Sequence, residues 1–145
     1  MDSELEATSY ASAAAQAYLS RIDDSFVTHF LRLGVTSGTV LDVGCGPGAI
    51  TIKLAHHLPY LSFVGVDLSD AMLNLAYANA QALHLPNLRF ERADAKSLPY
   101  PDAAFAAVVS NSLIHHLSDP VPFFNEAARV ATPNAAILFR DIRRP

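Results

Sequence analysis

Five short apolar runs, at 40–43, 63–66, 88–90, 105–109 and 136–139, alternate with helical stretches along the chain. Each run is too short for a typical helix and is mostly apolar, its only charged residues being Asp42 and Arg89, the mark of a strand buried on both faces. Strands separated by helices pair in parallel, and right-handed crossovers lay the helices over both sides of the sheet. The pattern therefore predicts a three-layer α/β fold. Crossover helices are expected at 50–58, 71–83 and 120–130, with Ser69 capping the second and Asp119 capping the third ahead of Pro120. The third and fourth strands are joined only by a loop carrying Pro99 and Pro101. Residues 1–37 read as a helical lead-in, with a Ser/Ala-rich helix at 9–20 and a second helix after Asp23-Asp24-Ser25 that stops at Gly34. No repeat or linker interrupts the sequence, so residues 38–145 form the core of one domain.

Composition narrows the function. With 145 residues and 51% hydrophobic side chains, one core suffices for stability without disulfides or a structural metal. Ten Lys plus Arg against 14 Asp plus Glu leave a net charge of −4, and no basic run exceeds Arg143-Arg144. Nucleic acid is thus not expected as a partner, because phosphate contacts need a basic stripe. Cys45 is the single cysteine, with no thiol partner for a disulfide, a metal site or a redox couple, which fits a reducing, cytoplasmic compartment. The longest apolar run, at 103–109, falls far short of the about 18 residues of a membrane helix, and Met1-Asp2-Ser3-Glu4 is unlike a signal peptide. No membrane partner is expected.

The segment Thr39-Val40-Leu41-Asp42-Val43-Gly44-Cys45-Gly46-Pro47-Gly48-Ala49 reads as a strand, a glycine turn and the start of a helix. Glycines here permit tight turning and close approach of a ligand to the backbone. Gly44, Gly46 and Ala49 also satisfy the dinucleotide pattern, so the glycines alone do not choose a cofactor. The acids discriminate better. Asp67 ends the second strand, where a carboxylate can accept both hydroxyls of a ribose. Asp94 follows the third strand, where it can meet an adenine amino group. Asp42 lies inside the first strand, two residues before Gly44, placed to orient the loop amides and to lie near a ligand's ammonium group. Each acid alone would serve as an ordinary cap or turn residue; together at successive strand ends they mark a site. Three acids around one loop suit a cationic ligand, whereas a pyrophosphate favours a loop free of negative charge.

At this point the chain resembles the class I S-adenosylmethionine-dependent methyltransferases, in particular those acting on small molecules. The resemblance rests on Val40-Leu41-Asp42-Val43-Gly44-Cys45-Gly46-Pro47-Gly48, Val64-Gly65-Val66-Asp67-Leu68-Ser69, Arg92-Ala93-Asp94-Ala95, Leu98-Pro99-Tyr100-Pro101-Asp102, Leu113-Ile114-His115-His116-Leu117 and Glu126-Ala127-Ala128-Arg129-Val130. It covers about residues 38–140, and the order and spacing of the segments make it specific. It implies a Rossmann-like sheet of order 3-2-1-4-5 and S-adenosylmethionine as cofactor. Asp42, Gly44, Cys45, Gly46 and Gly48 would hold the methionine part, Asp67 the ribose, Leu68 the adenine face, and Asp94 with Ala95 the adenine edge. Ser110, Asn111 and Ser112 would face the sulfonium end.

Three features depart from the family. Ala106 stands where an Asp is usual, and Asn134-Ala135 where Gly-Gly is common; Asn tolerates a left-handed backbone, so the turn is expected to survive. The chain ends at Pro145, just past the fifth strand, so the family's further helix and antiparallel strand pair are expected to be absent. The fifth strand's edge would then be exposed and open to pairing with a second copy.

Methyl transfer from a sulfonium is an in-line displacement that needs alignment, and a base only when the nucleophile must lose a proton. His115 and His116, just past the fourth strand, are the candidate catalytic residues; the alternative is that one packs beneath the loop and the other meets solvent. His56, His57 and His84 read as surface residues, and no metal site is expected. Cys45, near a helix N-terminus, could carry a lowered thiol pKa, but its place in the family pattern is that of a small packing residue. Tyr10 and Tyr18 could close over the pocket. Leu98-Pro99-Tyr100-Pro101 lacks the Asn/Asp-Pro-Pro-aromatic run of methylases acting on nucleic-acid bases, which favours a small-molecule acceptor. Three readings follow: a methyltransferase, a cofactor-binding module without turnover, and a nicotinamide-dependent oxidoreductase.

Overall fold

The computed structural model describes residues 24–141 together with Ala13 and Ala17. Its elements run α1 (Ser25–Leu31), β1 (Thr39–Val43), α2 (Ala49–His57), β2 (Ser62–Asp67), α3 (Asp70–Gln81), β3 (Leu88–Arg92), β4 (Phe105–Asn111), a 3-10 turn (Ile114–His116), α4 (Val121–Val130) and β5 (Ala131–Arg140). All strands pair in parallel in the order β3-β2-β1-β4-β5, as the resemblance implied. Of the helix expected at 9–20 only Ala13 and Ala17 are described, both helical and exposed; Tyr10 and Tyr18 lie outside the described residues.

The apolar runs are explained by burial on two sides. Val40 packs with Phe26, Phe30 and Leu54 beneath α1 and α2, while Leu41 and Val43 pack with Val64, Val108 and Phe123 beneath α4. Consecutive residues of a strand thus enter different cores, and both must be apolar. A third cluster, of Cys45, Ile52, Leu73, Ala76 and Phe90, fills the space between α2, α3 and β3. Phe90 is the floor under the glycine loop. A Cβ at Gly65 would lie 2.7 Å from its ring, and one at Gly48 would lie 2.9 Å from it. Gly65→Ala is therefore expected to destabilise the fold by about 1–3 kcal/mol, read as a lowered urea midpoint with an unchanged slope.

Helix ends follow local chemistry with one adjustment. The Ser69 hydroxyl accepts from the Met72 amide at 3.2 Å, the expected cap, and Gly34 closes α1 with a φ of +70°. Asp119 instead stands one residue before the cap position, held by Pro120, and accepts from the Val121 amide at 3.1 Å. The larger difference is β5, which starts directly after α4 rather than near residue 136. Phe105 pairs with Ala131 and Ala107 with Ala136, so β5 carries three extra residues across this step. Pro133, with no N–H to donate, falls in that bulge, the place in a sheet that tolerates it. Asn134 does not take the left-handed conformation expected of it: among the described non-glycine residues only His84, Ala103 and Ser112 have positive φ. The bulge does the work of the turn.

Candidate functional site

The chain reverses direction across the sheet between β1 and β4, and a crevice opens there at the carboxyl ends of the strands. The loop after β1 is built on three left-handed glycines, Gly44, Gly46 and Gly48, with φ of +72°, +54° and +85°. The amides of Gly44 and Cys45 both donate to the Val66 carbonyl at 2.9 Å, which pins the loop to the end of β2. Gly48 is the N-cap of α2, and a Cβ there would strike Phe90 and Ala76, so its place is dictated by packing.

Asp67, rather than Asp42, orients a loop amide. Its Oδ2 accepts from the Gly46 amide and its Oδ1 from the Ser69 amide, both at 2.9 Å. Each oxygen keeps a further lone pair, so the carboxylate is fixed in place yet can still accept. Asp42, 2% exposed, accepts instead from the Thr51 hydroxyl at 2.6 Å. Burial pushes its carboxyl up to about 7; the Thr51 bond opposes this, and the charge of Asp67 adds to it. Cys45 is shifted in the same sense. Burial, then the negative charges of Asp42 and Asp67, push its thiol well above the ordinary range, against the lowering that a nearby helix N-terminus would produce. Alkylation of Cys45 by iodoacetamide at neutral pH should be on the order of 100-fold slower in the native protein than after unfolding in urea.

Two clefts meet over this loop. The larger, about 490 Å³, is bordered by Asp42, Gly44, Cys45, Gly46, Asp67, Asn111, Ser112 and His116, among others. The smaller, about 210 Å³, is bordered by Leu68, Asp94, Ala95 and Lys96. Both share Gly44, Asp67 and Leu113, and Leu113 lies so close over Gly44 that a Cβ there would come within 2.9 Å of it. Leu68 is 53% exposed, an apolar surface at the mouth of the smaller cleft. Asp94 is held by the Lys96 amide at 2.9 Å.

Not every candidate reaches a cleft. The Ser110 hydroxyl donates to the Val43 carbonyl at 2.8 Å, is 1% exposed and borders neither. His115 also borders neither; its Nδ1 lies 2.5 Å from Asp141, whose other oxygen accepts from the His115 amide at 2.7 Å. The two imidazole centroids lie 3.9 Å apart with the rings tilted by 41°, and His116 is the one that faces the larger cleft. Thr51, Leu113, Arg140 and Asp141 belong to the site's construction and escaped the sequence reading. Only Thr51 left a trace there, as a hydroxyl within the apolar run Ala49-Ile50-Thr51-Ile52. Among the described residues no three His, Cys, Asp or Glu side chains gather as metal ligands, and no helix is long and apolar enough to cross a membrane.

A glycine turn at the switch point of a parallel 3-2-1-4-5 sheet, with aspartates at or just past the next two strand ends, defines a Rossmann-like α/β fold. A family model described as a methyltransferase domain matches residues 40–134, and the chain belongs to the class I S-adenosylmethionine-dependent methyltransferases. It is similar to the demethylmenaquinone methyltransferase of Deinococcus radiodurans, 38% identical over 106 residues that cover 73% of this chain and 44% of that one. The solved structure of the YcgJ protein from Bacillus subtilis superposes with a TM-score of 0.68 and 30% identity, covering 76% of this chain and 48% of that one. Phosphoethanolamine N-methyltransferase 2 of Haemonchus contortus, in complex with S-adenosyl-L-methionine, gives a TM-score of 0.71 at 26% identity over 78% of this chain and 26% of that one. The chain spans about half the length of the curated relatives it matches.

Proposed function

We propose that this chain binds S-adenosylmethionine across the two joined clefts and transfers its methyl group to a small-molecule acceptor. The observation that carries this reading is the position of Asp67: a carboxylate fixed by two backbone amides at the point where the clefts meet. A ligand with a ribose there would extend its base into the smaller cleft and its amino-acid tail into the larger. Leu68 offers a flat apolar contact for the base, and Asp94 with Ala95 borders its edge. Asp42 is the counter-charge for an ammonium group.

Once bound, the sulfonium supplies an activated methyl group. The protein's part is then to hold the acceptor in line and to receive a proton where the nucleophile carries one. His116 is the imidazole placed for that, with His115 packed against it and held by Asp141. The acid-lined larger cleft has no Lys or Arg among its described borders, which favours a neutral or cationic acceptor over a phosphate-bearing one.

Isothermal titration with S-adenosylhomocysteine and with NADH tests the reading. Binding of the first and not the second supports it; the reverse would overturn it. A second reading, a binding module whose acceptor wall is supplied elsewhere, draws on the chain's match to about half of its relatives' length. Binding without product formation across an acceptor panel would favour that reading.

A further inference from the structure

The sheet ends in β3 on one side and β5 on the other, and the two edges are built differently. β3 is guarded. Three of its five residues, Arg89, Glu91 and Arg92, are charged. Its Asn87 carbonyl and Ala93 amide bond to β2, so the Phe90 carbonyl turns outward, and there it accepts from the Tyr77 hydroxyl. Charged side chains and a capped carbonyl both discourage a further strand. β5 has neither device. From Ala131 to Phe139 it carries no charged side chain, and among the described residues no strand lies along its outer side.

One bond fixes which way the backbone of β5 faces. The Arg140 carbonyl accepts from the Ser112 amide at 2.8 Å, just past the end of β4. Backbone groups of alternate residues point to opposite sides of a strand, so Leu138 also turns to β4 while Ile137 and Phe139 present N–H and C=O to the open edge. An apolar surface flanks that row. Ile137 is 45% exposed, and Phe124 of α4, 41% exposed, stacks on Phe139 with ring centroids 6.0 Å apart.

A second copy of the chain matches this edge better than the chain's own remaining residues do. Past Asp141 the 145-residue chain has only residues 142–145, too few to lie along β5. Two identical strands running antiparallel about a two-fold axis each supply the donors and acceptors that the other needs. With the axis at Leu138, Ile137 of each copy stands opposite Phe139 of the other, and the two Phe124 surfaces close over the pair. Arg140 then stands opposite Ala136, so no like charges meet along the strand although each chain carries a net charge of −4.

We propose that the open edge of β5 is a self-association surface, on which a second copy of this chain pairs its own β5 antiparallel with Leu138 at the two-fold axis. The two sheets become one, and the clefts of the two copies open in opposite directions. This inference is independent of what the clefts bind.

Sedimentation velocity of the 145-residue chain tests it. A pairing of this length lies at the small end of protein interfaces, so a dimer is expected at about 100 μM that gives way to monomer below about 1 μM. Ile137→Lys places at this edge the kind of charge that guards β3, and should weaken the dimer by at least about 30-fold while the dilute protein keeps its urea midpoint. Leu75→Lys, at a comparably exposed leucine of α3, should leave the dimer unchanged. Leu138→Cys reports the axis: the two thiols face each other in a pair with about 4.5 Å between Cα atoms, and should oxidise to a covalent dimer. Cys45 is buried and does not compete. The cysteine variant also serves if Ile137→Lys does not fold.

A wild-type monomer at about 100 μM would overturn the proposal and leave the edge to residues 1–23 or to a different partner. A dimer that Ile137→Lys does not weaken, or that Leu75→Lys weakens equally, would overturn β5 as the surface. A dimer weakened by Ile137→Lys alone, with no cross-link in Leu138→Cys, would overturn the axis.

Discussion

Asp67→Ala is expected to weaken S-adenosylhomocysteine by at least about 100-fold, since each hydrogen bond to a charged group contributes about 1.5–3 kcal/mol and the ribose would lose two. The substitution also strips the Gly46 and Ser69 amides of their acceptor. A loop with three left-handed glycines has little side-chain packing of its own, so loss of that anchor should loosen it as well. Titration calorimetry measures the first effect, and faster amide exchange at Gly46 measures the second. Asp67→Asn, which keeps one carbonyl oxygen, should fall between wild type and Ala. A folded Ala variant that binds like wild type would exclude Asp67 from the ribose contact.

Asp42→Asn should move stability and binding in opposite directions. The carboxyl titrates at about 7 in the folded chain against an ordinary value of 3.8. Between those values the native state holds more protons than the unfolded state, so stability falls as pH rises through the window and levels off above it. The neutral amide keeps the shape and can still accept from Thr51, without the penalty of a buried charge. Asp42→Asn is thus expected to be more stable than wild type by on the order of 1–4 kcal/mol at about pH 8, with the difference vanishing at about pH 4. Urea unfolding at the two pH values reads this. At the higher pH the same variant should bind S-adenosylhomocysteine at least about tenfold more weakly, because the counter-charge for the ammonium is gone. An Asn variant less stable than wild type at the higher pH would show that the bond to Thr51 outweighs the burial of the charge.

Much of this arrangement was legible in the chain. Alternating apolar runs and helices establish the parallel sheet, because a strand covered on both faces is predominantly apolar. Gly44, Gly46 and Gly48 mark the turn, because few other residues take three left-handed conformations in so short a span. Asp67 is visible because it closes an apolar strand, and Asp94 because it stands just past the next strand, both at the carboxyl end of the sheet. All of these are local signals, set by the residue's own backbone or its strand.

Tertiary structure alone decided the partners. That Asp67 takes the loop amide while Asp42 turns to Thr51, that Ser110 faces Val43, and that Leu113 lies over Gly44 depend on the register between strands far apart in sequence. The same holds at β5, where the bulge around Pro133 sets which residues reach the cleft wall and brings Arg140 to Asn111 and Asp141 to His115. Hydrogen bonds act over about 3 Å, and no periodicity in a sequence records which two distant side chains will come that close. The sequence by itself determined the scaffold and the chemistry available to it; the packing of distant strands and loops against one another decided which of those groups border the clefts.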